Sequence, residues 1–229
     1  MNTRLNLNKA ALFIALLFHA CGLAGILLTS YKGWFIKSTA INLLVMAGML
    51  IITHPQKNKN FFLFFFTACI TGFLAEAFGV NTAMVFGKYT YGPALGLQLL
   101  HVPLIIGINW FIIIYCTGMF TQAYENYMLR RLNTGGLSIS KPLQMVSFMV
   151  DAVFLAVLFD WIMEPVATKL GYWQWQGGHV PFFNYISWIF LSALLLAVFK
   201  KLNMGNRNVF AVHLFMIQLL FFLVLRTFL

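Results

Sequence analysis

Apolar residues run along the chain in long stretches broken by short polar segments, and those stretches set the expected architecture. A membrane-spanning helix needs about 20 residues. Read against that length, the apolar runs give seven candidate spans: Ala10–Thr29, Thr39–Thr53, Phe61–Val80, Leu99–Phe120, Leu143–Met163, Phe182–Phe199 and Val209–Leu225. The second and sixth are short, which suits tilting or partial re-entry, so six and eight are the neighbouring counts. The predicted fold class is all-α, a polytopic membrane helical bundle of about seven transmembrane helices. It forms a single integral membrane domain over residues 1–229.

Composition strengthens this reading. The chain is 61% hydrophobic, 17% aromatic and 9% charged, too little polar surface for a soluble domain of this length. The first run follows Arg4 and Lys9, as a signal peptide would. His19 fits a lipoprotein cleavage pattern before Cys21 badly, so an uncleaved first span is expected.

The net charge of +10 changes the picture in orientation only. Ten basic residues fall at the N-terminus and near Lys57/Lys59, Arg130/Arg131/Lys141 and Lys200/Lys201/Arg207. Five fall on the opposite side: Lys32, Lys37, Lys88, Lys169 and Arg226. Cytoplasmic loops carry the excess of Lys and Arg, so the N-terminus is expected in the cytoplasm of a bacterial inner membrane and the C-terminus outside. The scatter of these charges among loops argues against a nucleic-acid partner. Cys21, Cys69 and Cys116 lie inside spans without metal or redox spacing and read as small core residues.

Two segments echo each other. "HVPLIIGINW" runs from His101 to Trp110 and "HVPFFNYISW" from His179 to Trp188. Each follows an aromatic pair, Tyr89/Tyr91 or Trp173/Trp175, and each pair follows an acid near a helix end, Glu76 or Asp160/Glu164. His-Val-Pro is also a natural way to open a helix after a loop. The ordered recurrence nevertheless favours duplication, with helices 3–4 and 5–6 as parallel copies.

The chain has five acidic residues, and three of them converge in this reading. Helices 3 and 5 both run outward, placing Glu76, Asp160 and Glu164 at one membrane depth beside the aromatic loops. Asp160 and Glu164, at i and i+4, share a helix face. Pro165 disfavours helical geometry at Glu164, so the helix is expected to stop there. Asp151 lies about 13.5 Å deeper and half a turn away, a structural polar group. Glu125, near Arg130, reads as a solvated loop charge.

A carboxylate inside a bilayer costs about 2.5–3.5 kcal/mol on insertion scales, so such groups face cavities and carry function. A desolvated carboxyl favours its neutral form, the state a proton donor needs. Helix capping or pairing with Lys88 and Lys169 is the structural alternative. Tyr89, Tyr91, Trp173 and Trp175 singly suit an interfacial belt. As a group beside acids, their ring faces can stabilise a carbocation. Acid plus π-walls suits an alkene.

Other chemistries lack their residues. The last span carries no lysine for a retinal Schiff base, and no Walker, G-x-S-x-G or dinucleotide motif occurs. No metal is expected. His101 and His179 with Glu76 and Asp160 form the weak metal alternative, without a supporting spacing. His19 and His213 read as intrahelical packing residues.

At these positions the sequence resembles a known family. "EAFGVNTAMVFGKYTYGPALGLQLLHVPLIIGINW" and "DWIMEP…WQW…VPFFNYISW" are similar to two blocks of the membrane carotenoid-biosynthesis proteins, about a third of the chain. That family contains the carotenoid 1,2-hydratases, including the bisanhydrobacterioruberin hydratases of archaea. Glu164 stands where the family usually has Asp, His101 and His179 where it commonly has Gly, and Ser187 where it has Gly.

The resemblance implies hydration of the terminal double bond of an acyclic, lycopene- or gamma-carotene-type end group, a carbon–oxygen lyase chemistry without a redox cofactor. Asp160 or Glu76 would donate the proton, Glu164 would position water, and Tyr89, Tyr91, Trp173 and Trp175 would flank the cation. Trp110, Trp188 and Asn184 join the substrate-binding side through the motif. Asn109, about 15 Å below the start of helix 4, would bind water or bridge helices. The substrate would come from the lipid phase, with membrane lipids and other carotenoid enzymes as neighbours. A cyclase or isomerase using the same acid, and a non-enzymatic pigment- or lipid-binding or transport protein, are the alternatives.

Overall fold

The computed structural model describes residues 2–136, 138–204 and 207–229, with side chains from Leu5 onward; the Arg4 side chain counted for orientation lies outside the described residues. Eight α-helices carry the fold: α1 (Asn2–Leu28), α2 (Lys32–Lys37), α3 (Thr39–Thr53), α4 (Lys59–Thr82), α5 (Ile105–Thr134), α6 (Lys141–Lys169), α7 (Phe182–Lys201) and α8 (Val209–Phe228). Six are long and apolar enough to cross a membrane. The seventh expected span is α3, only 15 residues long. At 1.5 Å per residue it falls short of a hydrocarbon core of about 30 Å. The protein is an all-α integral membrane bundle.

The helix α5 is the axis of the bundle. It is 78% buried over its apolar window, against 28–39% for the other long helices, and it packs on α3, α4, α6, α7 and α8. The outer helices therefore present Leu, Phe and Ile to lipid. Glycines let α4 and α5 approach closely. A Cβ on Gly107 would meet the Cys69 carbonyl oxygen at 2.6 Å, and one on Gly72 would fall on the Trp110 ring.

Side-chain caps set helix starts. Asn58 accepts from the Phe61 N–H at 3.0 Å and Asn208 from that of Ala211 at 3.3 Å, satisfying otherwise orphaned donors. At the end of the bundle opposite the aromatic loops, the Tyr115 hydroxyl meets His54 Nδ1 at 2.5 Å and accepts from Asn208 Nδ2 at 3.2 Å. That knot joins α3, α5 and α8.

Four short strands lie outside the helices: β1 (Tyr89–Tyr91), β2 (Gln98–Leu99), β3 (Val102–Pro103) and β4 (Trp173–Trp175). The strands β1 and β4 pair antiparallel in the register Tyr89↔Trp175 and Tyr91↔Trp173. The strands β2 and β3 form a tight hairpin through Leu100 and His101, both at positive φ, 52° and 63°. The expected start of the fourth span at Leu99 is thus corrected. Residues 99–103 are hairpin, and the helix opens at Ile105, because the backbone of this segment is taken up by strand pairing.

The expected stop at Glu164 is also corrected, since α6 continues to Lys169 with Pro165 inside it. Proline has no N–H for the carbonyl four residues earlier, which is that of Trp161. Arg226 supplies the missing donor: its Nη1 reaches the Trp161 oxygen at 2.9 Å while its guanidinium lies 4.0 Å over the Trp161 ring. An interhelical cation repairs the gap, so the helix runs on.

Two smaller expectations fail. Glu125 is no solvated charge but pairs with Lys200 at 3.0 Å. Cys21 is exposed at the bundle surface, whereas Cys116 is buried and Cys69 partly so.

Candidate active site

The three acids expected to converge do so, under the β1–β4 pair. Glu76 comes from the last two turns of α4, and Asp160 and Glu164 from one face of α6; all three line one cavity. They are 7%, 0% and 3% exposed. Because β1 precedes α5 and β4 precedes α7, pairing these strands clamps the two hairpins together over that cavity. Gly92 makes the clamp fit: its N–H bonds the Tyr172 carbonyl at 2.8 Å, and a side chain there would collide with the Gly171 carbonyl.

Each acid has its own set of donors. Glu76 accepts from three: the Tyr89 hydroxyl in a very short bond and the Tyr91 hydroxyl at 2.8 Å on Oε2, and Trp110 Nε1 at 3.0 Å on Oε1. Glu164 Oε2 accepts from both indoles of the opposite strand, Trp173 at 2.9 Å and Trp175 at 2.8 Å. Asp160 has one donor, Asn184 Nδ2 at 2.9 Å on Oδ2. Its other oxygen, Oδ1, is buried with no partner. No lysine pairs with any of the three; among the described residues the ion pair is Lys200 with Glu125.

Burial and, next, the neighbouring Glu76 carboxylate push the Tyr89 and Tyr91 hydroxyls well above the usual tyrosine range. Both therefore remain donors at any physiological pH. Burial likewise pushes Tyr172, bonded to Thr39 at 2.6 Å, up to about 12.

The aromatic residues meet the acids edge-on. Their O–H and N–H edges hold the carboxyls, while their faces pack on one another. Tyr89 lies on Trp175 at 4.8 Å, and Trp110 stacks on Trp188 at 4.1 Å and 22°. The free space among these groups admits the centre of a water-sized sphere over about 20 Å³, room for one water. Asn109, Asn184, Trp110 and Trp188 all line it. Asn109 sits just one turn inside α5, not 15 Å down, because that helix starts later than expected.

The common spacing of the two segments carries over into these contacts only in part. Asp160 precedes Trp173 by 13 residues, as Glu76 precedes Tyr89. By spacing Asp160 is the counterpart of Glu76, yet the indoles bond to Glu164, one turn later. Asp160 is thereby left with an unclaimed oxygen.

The histidines stay apart from the cavity. His101 Nδ1 meets Asn81 Oδ1 at 3.0 Å, and His179 Nδ1 meets the Gly177 carbonyl at 3.0 Å; both are exposed. Among the described residues, no three His, Cys, Asp or Glu side chains are placed to hold a metal ion, so the weak alternative built on His101 and His179 gains nothing. Asp151 accepts from Ser147 at 3.4 Å, and His19 bonds the Ala15 carbonyl within its own helix at 2.7 Å. His213 also bonds within its helix, to Val209, but is exposed rather than packed.

The chain is 28% identical over 130 residues to the bisanhydrobacterioruberin hydratase of Haloarcula japonica, an alignment covering 54% of this chain and 39% of that protein. The aligned part is thus well under half of that relative's length. No solved structure matches. The family described as carotenoid biosynthesis protein matches residues 37–229, a stretch that contains all three acids and both aromatic strands, and the chain belongs to that family.

Proposed function

We propose that the protein hydrates the terminal double bond of an acyclic carotenoid end group, with Asp160 as the proton donor. The observation that carries this reading is the unpartnered, fully buried Oδ1 of Asp160. Three carboxyls face one small cavity, and among the described residues no cation pairs with any of them. Glu76 is held by three donors and Glu164 by two indoles, which can only donate. Both are built to be acceptors. Asp160, with one amide donor, is the group best placed to carry the shared proton.

The chemistry balances with these groups. The π electrons of the alkene take the Asp160 proton at the less substituted carbon, leaving a tertiary cation. The neighbouring carboxylates of Glu76 and Glu164 stabilise that charge. A water oxygen adds its lone pair to the cation and gives a proton to Glu164, one turn from Asp160 on the same helix face. Passing that proton back to Asp160 resets the site. The net change is one water added across the double bond, a tertiary alcohol. The hydratase relative supports the reaction class. The excess of basic residues on one side supports a cytoplasmic N-terminus, with the site at the outer face of a bacterial inner membrane.

The test is expression in a bacterium that makes an acyclic carotene, followed by mass analysis of the pigments. A product heavier by one water is expected. A new product of unchanged mass would replace this reading with a cyclase or isomerase. Unaltered pigment would leave binding or transport.

A further inference from the structure

The acid cavity shares part of its lining with a larger void. Ile106, Asn109, Met163 and Trp173 line both the acid cavity and a chamber of about 60 Å³ behind it. That chamber in turn shares Thr39, Asn42 and Phe221 with a groove of about 380 Å³ between α1, α2, α3 and α8, both volumes taken for the centre of a water-sized sphere. Leu17, Phe18, Trp34 and Ile41 form the outer lip of the groove and are exposed at the bundle surface, where lipid tails would lie. Three adjoining voids therefore line up between the lipid-facing surface and Asp160.

We propose that this series is the channel in which the long apolar polyene lies, end group toward Asp160 and remainder along the groove between α1 and α3. The idea rests on the hydration reading for the identity of the end group. The chemistry of the occupant follows from the walls. The groove is apolar, so it suits a hydrocarbon, and it opens to lipid, where such a molecule is dissolved. Its narrow inner part carries a polar group: Asn42 Oδ1 is buried there without a partner. That oxygen can accept from the water the reaction consumes. The wall supplied by α1 lies outside residues 37–229, so this side of the channel is built by a segment that the family match does not include.

The test uses full-length protein carrying Asp160→Asn, so that pigment is held but not converted, purified in detergent from carotene-producing cells. The readout is pigment absorbance per protein. Asn42→Trp at the throat and Cys21→Trp in the groove are each expected to cut retained pigment at least tenfold. Leu74→Trp, on the lipid face of α4, is expected to leave it unchanged, with equal thermal midpoints for all three. Pigment retained by both groove variants as by the parent would overturn the channel, while wild-type conversion measured separately would leave the hydration reading standing. Loss of pigment in all three variants would also overturn it, since the effect would not be local. A parent that holds no pigment would overturn it too, and conversion by wild type would then decide the hydration reading on its own.

Discussion

Replacing Asp160 by Asn isolates the proton from everything else the side chain does. Asparagine has the same shape, and its amide oxygen can still accept from Asn184, so the 2.9 Å contact survives. Its NH2 falls where Oδ1 now stands without a partner. At worst this strands a buried donor, at a cost of about 1–3 kcal/mol, and it removes one of three mutually repelling carboxyls, which works the other way. Folding is therefore expected to change by about 1 kcal/mol in either direction. Catalysis should change far more, because a positioned general acid contributes about 10²–10⁴ in rate, or about 2.7–5.5 kcal/mol of barrier. The assay is pigment conversion in isolated membranes, with the thermal unfolding midpoint in detergent as the folding control. Asn184→Ala removes the positioning donor but keeps the acid, and is expected to reduce turnover by less than Asp160→Asn. An Asp160→Asn protein that folds normally and keeps more than a tenth of wild-type turnover would refute the assignment.

Three further outcomes are expected. Glu76→Gln should be less destabilised than Glu76→Ala. Its amide oxygen still accepts from Trp110 and its NH2 can donate to the tyrosine oxygens, although the two hydroxyl protons lose their acceptor. Glu76→Ala strands three donors at about 1–3 kcal/mol each and should melt clearly lower; equal midpoints for Gln and Ala would contradict the donor network. Arg226→Leu should destabilise by about 1–3 kcal/mol by orphaning the Trp161 carbonyl, and far less in a Pro165→Ala background, where the helix regains its own N–H; a double-mutant cycle of midpoints reads the coupling. Burial, followed by nearby Lys57 and opposed by the Gln56 backbone, holds His54 down at about 4. The unfolded chain takes this proton near pH 6.5, so its contribution of about 3 kcal/mol should fade as pH drops from about 6.5 to about 4. His54→Gln should flatten that slope in midpoint-versus-pH curves.

Much of the site was legible because its residues break the local rule. Carboxyls are so scarce in this chain that Glu76, Asp160 and Glu164 stand out against any apolar background, and the echoed aromatic pairs lie at a constant distance beyond an acid. The partners were harder to read. Rings were expected to offer their faces, and it is their N–H and O–H groups that reach the acids. That preference arises because a buried carboxyl takes whatever donors packing brings near it, and packing is not written in local spacing. The same holds for Pro165. Sequence propensity ends the helix there, and only α8, folded back across α6, brings the Arg226 guanidinium that lets it continue.

The sequence by itself determined the class of molecule and where its scarce acids gather. A chain this apolar has to satisfy its backbone within helices, and so few acids in such a background mark a site. Tertiary structure alone decided which acid is left with a free oxygen. That depends on two strands, 84 residues apart in sequence, pairing in a register that carries the Trp173 and Trp175 indoles past Asp160 to Glu164. Hydrophobic periodicity places helices in a membrane; hydrogen-bond register between distant segments is a property of the packed fold.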